Sequence, residues 1–152
     1  MQDQFEPIKQ EEILVDIVIP VYNAQVILET SIRRLAEYFD SELPFRYQIT
    51  IAENGSTDNT PSIAGELRRA MQNVDVSLLS QKGRGRALKK VWGESDANVL
   101  AYMDVDLSTG LEAFVDLIRP LIEGAAPIGI GSRLRKGART ERSLGREIIS
   151  RI

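Results

Sequence analysis

The sequence predicts an α/β domain in which a mainly parallel sheet carries helices on both faces. Short, β-branched, apolar runs alternate along the chain with stretches of helical period. These runs are apolar at nearly every position, as expected for strands that are buried on both faces. With 152 residues, the chain is long enough for one domain with one hydrophobic core.

Five strands are predicted, and turn-forming residues bound them. Pro20 is expected to end the first strand, and the turn at Asn54 and Gly55 ends the second. The predicted strands are residues 13–19, 47–53, 74–80, 97–104 and 127–132.

Four helices are predicted between the strands. The first spans about 24–39, where apolar residues recur at helical spacing. The second follows a cap at Asp58 or Thr60, and the third ends near Glu94. The fourth begins after Thr109, which has the spacing of a capping box with the glutamate three residues later.

The composition excludes several kinds of site. The chain has no cysteine and no histidine, which rules out disulfides, thiol catalysis, serine–histidine triads and zinc sites with sulfur or imidazole ligands. Any metal must therefore bind oxygen ligands, which suits Mg²⁺, Mn²⁺ or Ca²⁺. The net charge of -3 argues against a nucleic-acid-binding protein.

The chain is divided into a flexible N-terminal tail, residues 1–12, and one domain, residues 13–152. The tail is polar and acidic, unlike a signal peptide. Apolar runs stay well short of the roughly 18 residues that a membrane span needs. As given, the chain is expected to be soluble and cytoplasmic.

Polar and charged residues follow every predicted strand. In open α/β sheets, ligands bind in the crevice beyond the carboxyl ends of the strands. Two carboxylates and several cations are therefore expected to meet there. The residues concerned are Tyr22 and Asn23, Glu53 and Asn54, Lys82 and Gly83, Asp104 to Ser108, and Arg133.

The pair Asp104 and Asp106 ends an apolar strand abruptly. Two carboxylates two residues apart can together hold a hard divalent cation, with substrate phosphate oxygens completing its shell. The alternative is a pair of solvated acids in a turn, with Asp106 capping the next helix. The other polar residues of the crevice favour the metal site.

The residues after the first two strands suit a nucleobase. A carboxylate at Glu53 or an amide at Asn54 can read the donor edge of a base, and Tyr22 can pack on its face. The structural alternative is a strand end at Tyr22 and a helix cap at Asn23. Gly55 has a structural role in either case, because it permits a tight turn.

Two basic segments suit phosphate groups. Lys82, Arg84 and Arg86 flank glycines after the third strand, where a diphosphate would fit. The cluster that starts at Arg133 can cradle phosphates with the bidentate geometry of arginine. A solvated loop is the alternative for both segments. The sequence has neither G-x-G-x-x-G after the first strand nor a P-loop motif, which counts against dinucleotide-binding Rossmann domains and P-loop NTPases.

Taken in order, these segments resemble the family 2 glycosyltransferases of GT-A fold, especially the dolichyl- or polyprenyl-phosphate mannose and glucose synthases. The resemblance runs from Val15 to the end of the chain. The matching motifs are IVIPVYN (17–23), ENGSTDNT (53–60), KGRGRALK (82–89), YMDVDLS (102–108), IGSR (130–133) and REIISR (146–151).

The resemblance implies an inverting transfer of a hexose from a UDP- or GDP-linked sugar, with Mg²⁺ or Mn²⁺ as cofactor. It implies that different motifs serve the nucleotide, the metal and the acceptor. The implied nucleotide-binding residues are Pro20, Tyr22, Asn23, Glu53, Asn54, Lys82, Gly83 and Asp104. The implied metal ligands are Asp104, Asp106 and Ser108, the implied catalytic residues are Asp106 and Arg133, and Arg146 and Arg151 would face the acceptor.

Three features differ from the family's usual pattern. Glu53 and Asn54 stand where the family usually has two aspartates, and Ser108 stands where many members of this branch have glutamine. The chain also ends at Ile152, whereas such catalytic domains are usually much longer. It is therefore expected to be the N-terminal portion of a C-terminally truncated catalytic domain.

The acceptor implied by the resemblance is a polyprenyl phosphate, whose ionised oxygen needs no general base. Membrane contact would then arise only through missing segments or partners, at the cytoplasmic face. Two alternatives stay open: a nucleotide-sugar-binding fragment or pseudo-enzyme without turnover, and a transferase acting on a sugar hydroxyl in polysaccharide synthesis. A receiver-like regulatory module fits less well, because it would carry an acidic pair after the first strand.

Overall fold

The computed structural model describes residues 12–108 and 110–131. In these residues, strands and helices alternate strictly along the chain. The strands are β1 (Leu14–Val21), β2 (Arg46–Glu53), β3 (Val74–Leu78) and β4 (Val99–Tyr102). The helices are α1 (Leu28–Glu42), α2 (Thr60–Ala70), α3 (Arg84–Glu94) and α4 (Glu112–Ile122).

The strands form one parallel sheet in the order β3-β2-β1-β4. Because helices cover both faces of β1, its side chains are apolar on both faces, with Asp16 as the exception. One face packs against α1, α2 and α4 in the larger core. On the other face, Val18 packs with Ala52 and Leu79 against α3. A parallel sheet with helices on both faces confirms the predicted fold class.

The larger core includes Phe39, near the end of α1. Its side chain is fully buried, and its ring centroid lies 5.1 Å from that of Phe114 in α4 and 5.2 Å from that of Tyr47 in β2. Full burial of one such side chain contributes about 1.5–3 kcal/mol. The contact between Phe39 and Phe114 holds α4 against α1 and thereby helps to position the loop that joins β4 to α4.

The prediction that Pro20 ends the first strand is wrong. β1 continues to Val21, and Pro20 lies opposite Ala52 of β2. The backbone oxygen of Val18 accepts the N–H of Met103, so the backbone polar groups of Val18 face β4. Because these groups alternate in direction along a strand, those of Pro20, two residues later, also face β4. Pairing with β4 ends at Val18, so the missing N–H of Pro20 removes no ladder hydrogen bond.

The predicted start of the first helix at residue 24 is also wrong. The helix α1 begins at Leu28 after a turn, and its N-cap position is Ile27, which makes no side-chain capping bond. Asn23 therefore caps no helix. It adopts a left-handed conformation with φ 51°, which asparagine tolerates better than most residues.

The predicted fifth strand is not formed in residues 127–131, and Ser132 lies outside the described residues. A Cβ atom on Gly129 would lie 2.9 Å from Leu121 Cδ1 and 3.0 Å from the backbone oxygen of Leu117. The segment thus packs closely on α4 through its glycine, while Ile128 and Ile130 are exposed. Alternation of apolar residues and glycine indicates an extended segment, but it does not decide whether that segment joins the sheet or packs on a helix.

Several other expectations fall partly or wholly outside the described residues. These are the flexible tail, of which only Glu12 is described, the capping role of Thr109, and everything predicted for residues 132–152. In the described part of the chain, no helix combines the length and the apolar character that a membrane span requires.

Candidate functional site

The loops that follow β1 and β2 are tied together by Asn23. Its Oδ1 accepts the backbone N–H of Thr57 at 2.9 Å, and its own backbone N–H donates to Ser56 Oγ at 2.9 Å. Because these bonds hold Asn23 from both sides, they also fix the position of its neighbour Tyr22. The sequence motif after β2 thus orders the loop after β1.

A second set of hydrogen bonds joins the loop after β1 to the start of α2. Together, the two sets form a clamp between the loops after β1 and β2. The backbone N–H of Ala24 donates to Thr60 Oγ1 at 2.8 Å in a buried contact, and that of Gln25 donates to Asp58 Oδ2 at 3.2 Å. Asp58 Oδ1 accepts the N–H of Thr60 at 2.9 Å. The N-cap position of α2 is Asn59, which makes no side-chain capping bond, so the prediction that Asp58 or Thr60 caps this helix is wrong. Sequence reasoning did not identify Gln25 and Thr60 as clamp residues, since nothing local in the sequence marks such partners.

Hydrogen bonding lowers the pKa of Asp58. Desolvation alone would raise it, but hydrogen bonds from Thr60 and from the backbone of Gln25 outweigh that effect. The pKa therefore lies below the ordinary value of 3.8. The carboxylate that joins the two loops is thus held in its charged form.

Gly55 connects the loop after β2 to the chain that follows β3. It adopts φ +71°, and a Cβ atom there would lie 3.4 Å from the backbone oxygen of Leu79. The predicted tight turn at Gly55 is confirmed. Glycine adopts this backbone conformation at low cost, whereas residues with a side chain are strained there.

Glu53 and Asn54, at the end of β2, are buried, with 4% and 3% of their surface exposed. The Glu53 carboxylate accepts the backbone N–H of Ser56 at 2.6 Å and that of Gly55 at 3.2 Å. Asn54 Nδ2 donates to the backbone oxygen of Ala52 at 3.2 Å. Asn54 Oδ1 is buried and accepts no hydrogen bond from the described residues. A buried acceptor without a donor is costly, so it marks a place where a ligand donor would be favourable.

Tyr22 and Lys82 bring the loops after β1 and β3 together. Lys82 Nζ lies 3.7 Å from the centroid of the Tyr22 ring, and 38% of the Tyr22 surface is exposed. Lys82 precedes Gly83, the N-cap residue of α3. The ammonium group of Lys82 therefore lies over the ring of Tyr22 at the carboxyl end of the sheet.

Arg84 and Asp104 bring the loops after β3 and β4 together. Arg84 Nη2 lies 2.9 Å from Asp104 Oδ1, and both side chains remain substantially exposed. Asp106 is exposed, and its Oδ1 accepts the backbone N–H of Ser108 at 3.0 Å across Leu107, which has φ 48°. α4 begins at Glu112, so Asp106 stabilises its own turn instead of capping that helix.

The donor atoms of this edge fit a hard divalent cation only if a substrate completes the shell. In residues 12–108 and 110–131, no group of three or more acidic side chains is placed to hold a metal ion. Asp104 and Asp106 offer carboxylate oxygens in a solvent-accessible turn, which is the arrangement that Mg²⁺ or Mn²⁺ uses when phosphates supply other ligands. The residues present therefore fit such a metal.

Loops after all four described strands thus meet at one edge of the sheet, as the sequence predicted. The contacts are made by Asn23 with Thr57, Tyr22 with Lys82, and Arg84 with Asp104. Pro20 lies in β1 just before this edge. The predicted roles of Arg133, Arg146 and Arg151 lie outside the described residues.

A cavity of about 320 Å³ lies between α1 and the loop before α4. Its lining includes Arg34, Tyr38, Leu107 and Leu111. None of the residues predicted for the nucleotide or the metal lines it.

Known structures share this fold over about three quarters of the chain. The mannosyltransferase PcManGT from Pyrobaculum calidifontis, in complex with GDP-Man and Mn²⁺, superposes with a TM-score of 0.57 at 19% identity, over 74% of this chain and 32% of that one. Glucosyl-3-phosphoglycerate synthase from Mycobacterium tuberculosis, in complex with Mn²⁺, UDP and glucosyl-3-phosphoglycerate, gives a TM-score of 0.55 at 21% identity, over 73% and 40% of the two chains. At such identities the likeness establishes the fold.

Sequence comparison adds a relative and a family. The chain is 29% identical over 139 residues to the glycosyltransferase AglD of Haloferax volcanii, which covers 90% of this chain and 22% of AglD. It thus spans about a fifth of the length of that relative. The model of glycosyl transferase family 2 matches residues 16–149. Since this match takes in most of the sequence and includes every loop of the site described above, the chain belongs to glycosyl transferase family 2.

Proposed function

We propose that this chain forms the nucleotide-sugar-binding part of an inverting glycosyltransferase that transfers a hexose to a polyprenyl phosphate. The observation that carries the proposal is the meeting of an aromatic ring, a buried amide, cations and carboxylates at one end of the sheet. Those groups match the parts of a nucleoside-diphosphate sugar. The PcManGT complex with GDP-Man and Mn²⁺ supports a donor of this class.

The base end of the donor is assigned to Tyr22 and Asn54. The ring of Tyr22, a residue that is 38% exposed, offers a stacking surface once Lys82 is displaced, and Asn54 Oδ1 offers a buried acceptor for a base N–H. Glu53 stabilises the loop that follows Asn54, because its carboxylate accepts backbone N–H groups of that loop. We favour uridine, since uracil presents one donor between two acceptors on its pairing edge.

The diphosphate end is assigned to the loops after β3 and β4. Asp104 and Asp106 would hold Mg²⁺ or Mn²⁺ with Ser108 nearby, and the bound metal would stabilise negative charge on the leaving diphosphate. Lys82 lies within reach of the same edge and adds positive charge. Arg133 is the predicted further phosphate ligand.

The acceptor follows from the chemistry of attack. An acceptor oxygen that approaches the anomeric carbon opposite the diphosphate inverts its configuration. A phosphate acceptor is already ionised near neutral pH, which suits a chain without histidine. Arg146 and Arg151 are proposed to attract that phosphate. We place the reaction at the cytoplasmic face of a membrane, with membrane contact through segments or partners outside this chain.

The proposal is tested first by binding. UDP and GDP, each with Mn²⁺, should bind the chain, whereas ATP with Mn²⁺ should bind far more weakly, as measured by isothermal titration calorimetry. If neither UDP nor GDP binds better than ATP, the nucleotide assignment is wrong.

Transfer is then tested with labelled UDP-glucose and GDP-mannose and a short-chain polyprenyl phosphate. Labelled lipid product supports the full proposal. Binding without any transfer to the lipid, under conditions where a simple sugar acceptor is labelled, would favour a transferase that acts on sugar hydroxyls. Binding with no transfer to either acceptor would favour a nucleotide-sugar-binding role without turnover.

A further inference from the structure

The ion pair between Arg84 and Asp104 occupies the carboxylate that the proposed function gives to a divalent cation. Arg84 is the first residue of α3, and Asp104 is the second residue after β4. Arg84 Nη2 lies 2.9 Å from Asp104 Oδ1. Of the ion pairs in the described residues, this is the one that joins two loops of the site.

The exposure of this pair argues against a mainly structural role. The side chain of Arg84 is 62% exposed and that of Asp104 is 45% exposed. Ion pairs this accessible to water contribute little to folding, because solvent and salt screen them. The pair can therefore open at little cost when another ligand reaches either partner.

A cation bound to Asp104 and the guanidinium of Arg84 would lie close together in this arrangement. Mg²⁺ or Mn²⁺ binds a carboxylate oxygen at about 2.0–2.2 Å, and such a cation would lie within a few ångströms of the guanidinium. Two positive charges at that separation repel each other strongly. Binding of the cation therefore weakens the hold of Asp104 on Arg84 and favours release of the guanidinium.

The displaced guanidinium has a suitable partner in the diphosphate. Its planar, forked donors match two phosphate oxygens, which a lysine would not match in the same way. The side chain of Arg84 is 62% exposed, so it has room to change its direction.

We propose that Arg84 couples metal binding to nucleotide binding: it competes with the divalent cation for Asp104 and, once displaced, binds the diphosphate that arrives with the cation. This inference rests on the proposed function and adds a positioning residue to it. It makes Mn²⁺ and the nucleoside diphosphate bind cooperatively through one side chain. Arg84 weakens binding of the metal alone and strengthens binding of the metal together with the nucleotide.

The experiment compares the full chain with Arg84→Gln and with Arg86→Gln as a matched control. Arg86 carries the same charge two residues away, but its Nη1 donates to Gln81 Oε1 at 2.8 Å instead of pairing with Asp104. Free Mn²⁺ is measured by electron paramagnetic resonance without nucleotide, and UDP and GDP affinities are measured at saturating Mn²⁺. Circular dichroism checks that each variant is folded.

Arg84→Gln should bind Mn²⁺ alone about threefold more tightly than the wild type, in the range expected for loss of an exposed ion pair. The same variant should bind the nucleoside diphosphate at least fivefold more weakly at saturating Mn²⁺, because a charged donor to phosphate is lost. Arg86→Gln should change Mn²⁺ affinity much less.

The two proposals fail in different ways. If the wild type binds neither UDP nor GDP with Mn²⁺, the proposed function is wrong. If the wild type binds a nucleoside diphosphate with Mn²⁺ but Arg84→Gln behaves as Arg86→Gln toward Mn²⁺ alone, the coupling role of Arg84 is wrong. Tighter Mn²⁺ binding by Arg84→Gln with unchanged diphosphate affinity also overturns it, because the guanidinium then does not move to the phosphates.

Discussion

Lys82 lies over the ring of Tyr22, with Nζ 3.7 Å from the ring centroid, although the two residues follow different strands. A cation–π contact at an exposed site is worth about 0.5–1 kcal/mol. Stacking of a nucleobase on an aromatic side chain is worth about 1–3 kcal/mol. A base can therefore displace Lys82 from the ring and leave its ammonium group free for the phosphates.

The first prediction follows from this order of energies. Tyr22→Ala should weaken UDP binding by about 1–3 kcal/mol, because the stacking surface is lost, whereas Tyr22→Phe should bind almost as the wild type. Lys82→Gln should weaken UDP binding, because a cation for the phosphates is lost, and should tighten uridine binding slightly, because the base no longer displaces Lys82 from the ring. Calorimetric titrations with UDP and uridine separate these effects. Equal loss of affinity for uridine and UDP in Lys82→Gln would show that Lys82 supports the ring and not the phosphates.

The contact between Tyr22 and Lys82 also shows what sequence could and could not predict. Both residues were placed at the carboxyl edge of the sheet, because the ends of parallel strands meet there. Their mutual contact was not predicted, since it depends on how two loops far apart in sequence turn toward each other. The prediction that Pro20 ends β1 fails for a similar reason: whether its missing N–H matters depends on where pairing with β4 ends.

A second prediction concerns Asp16, which is buried in the middle of β1 with 2% of its surface exposed. Thr50 Oγ1 donates to Asp16 Oδ1 at 2.7 Å, and Ser95 Oγ donates to Asp16 Oδ2 at 2.7 Å. Asp16→Ala should lower the free energy of unfolding by about 2–4 kcal/mol, because a cavity forms and two hydroxyls lose their acceptor. Urea denaturation measures this loss.

The isosteric variant Asp16→Asn is the matched control. It keeps the shape of the side chain and one acceptor, and the hydroxyls can reorient, so it should lose less stability than Asp16→Ala. If both variants were as stable as the wild type, the network would not hold Ser95, at the end of α3, against the sheet.

The third prediction concerns pH and the clamp at Asp58. The pKa of Asp58 is lowered in the folded protein, so its charged form stabilises the fold at pH values above the ordinary pKa of 3.8. This contribution is lost as the pH falls through the lower pKa of the folded state. Asp58→Asn should therefore be less stable than the wild type at neutral pH, and the difference should shrink toward pH 3 and below.

Thermal unfolding over a series of pH values checks this expectation. Asp96→Asn serves as the control, because Asp96 is exposed and forms no hydrogen bond or ion pair with the described residues. A stability difference between Asp58→Asn and the wild type that stays constant from neutral pH to pH 2 would contradict the assigned role of the carboxylate.

The fourth prediction concerns the metal. UDP should stabilise the folded chain more with Mn²⁺ than with EDTA, because only the folded site gathers both ligands. Asp106→Asn should remove most of this difference, since a carboxylate oxygen that would bind the cation is lost, while the turn bond to Ser108 can be kept by the amide oxygen. Thermal shift measurements give the readout.

Asp116→Asn is the control for the metal prediction. Its side chain is 83% exposed and pairs with Arg119 on α4 at 3.8 Å, away from the strand ends. The same loss of metal-dependent stabilisation in Asp116→Asn would point to a general effect of charge. An identical response to UDP in Mn²⁺ and in EDTA would remove the metal assignment of Asp106 altogether.

The last prediction concerns the base. Asn54 Nδ2 is already bonded to the backbone oxygen of Ala52, whereas its Oδ1 is a buried acceptor that no described residue satisfies. One free acceptor matches the single donor of uracil, whereas guanine presents two neighbouring donors. UDP should therefore bind more tightly than GDP at saturating Mn²⁺. Asn54→Asp removes the donor to Ala52, which frees the side chain to turn both carboxylate oxygens toward a base, so the ratio of affinities should shift toward GDP. Asn98→Asp adds the same charge at Asn98, whose Oδ1 accepts the N–H of Leu14 at the start of β1, and should leave the ratio unchanged. GDP binding tenfold tighter than UDP in the wild type, a difference of about 1.4 kcal/mol, would overturn the preference and point to a guanosine-linked donor.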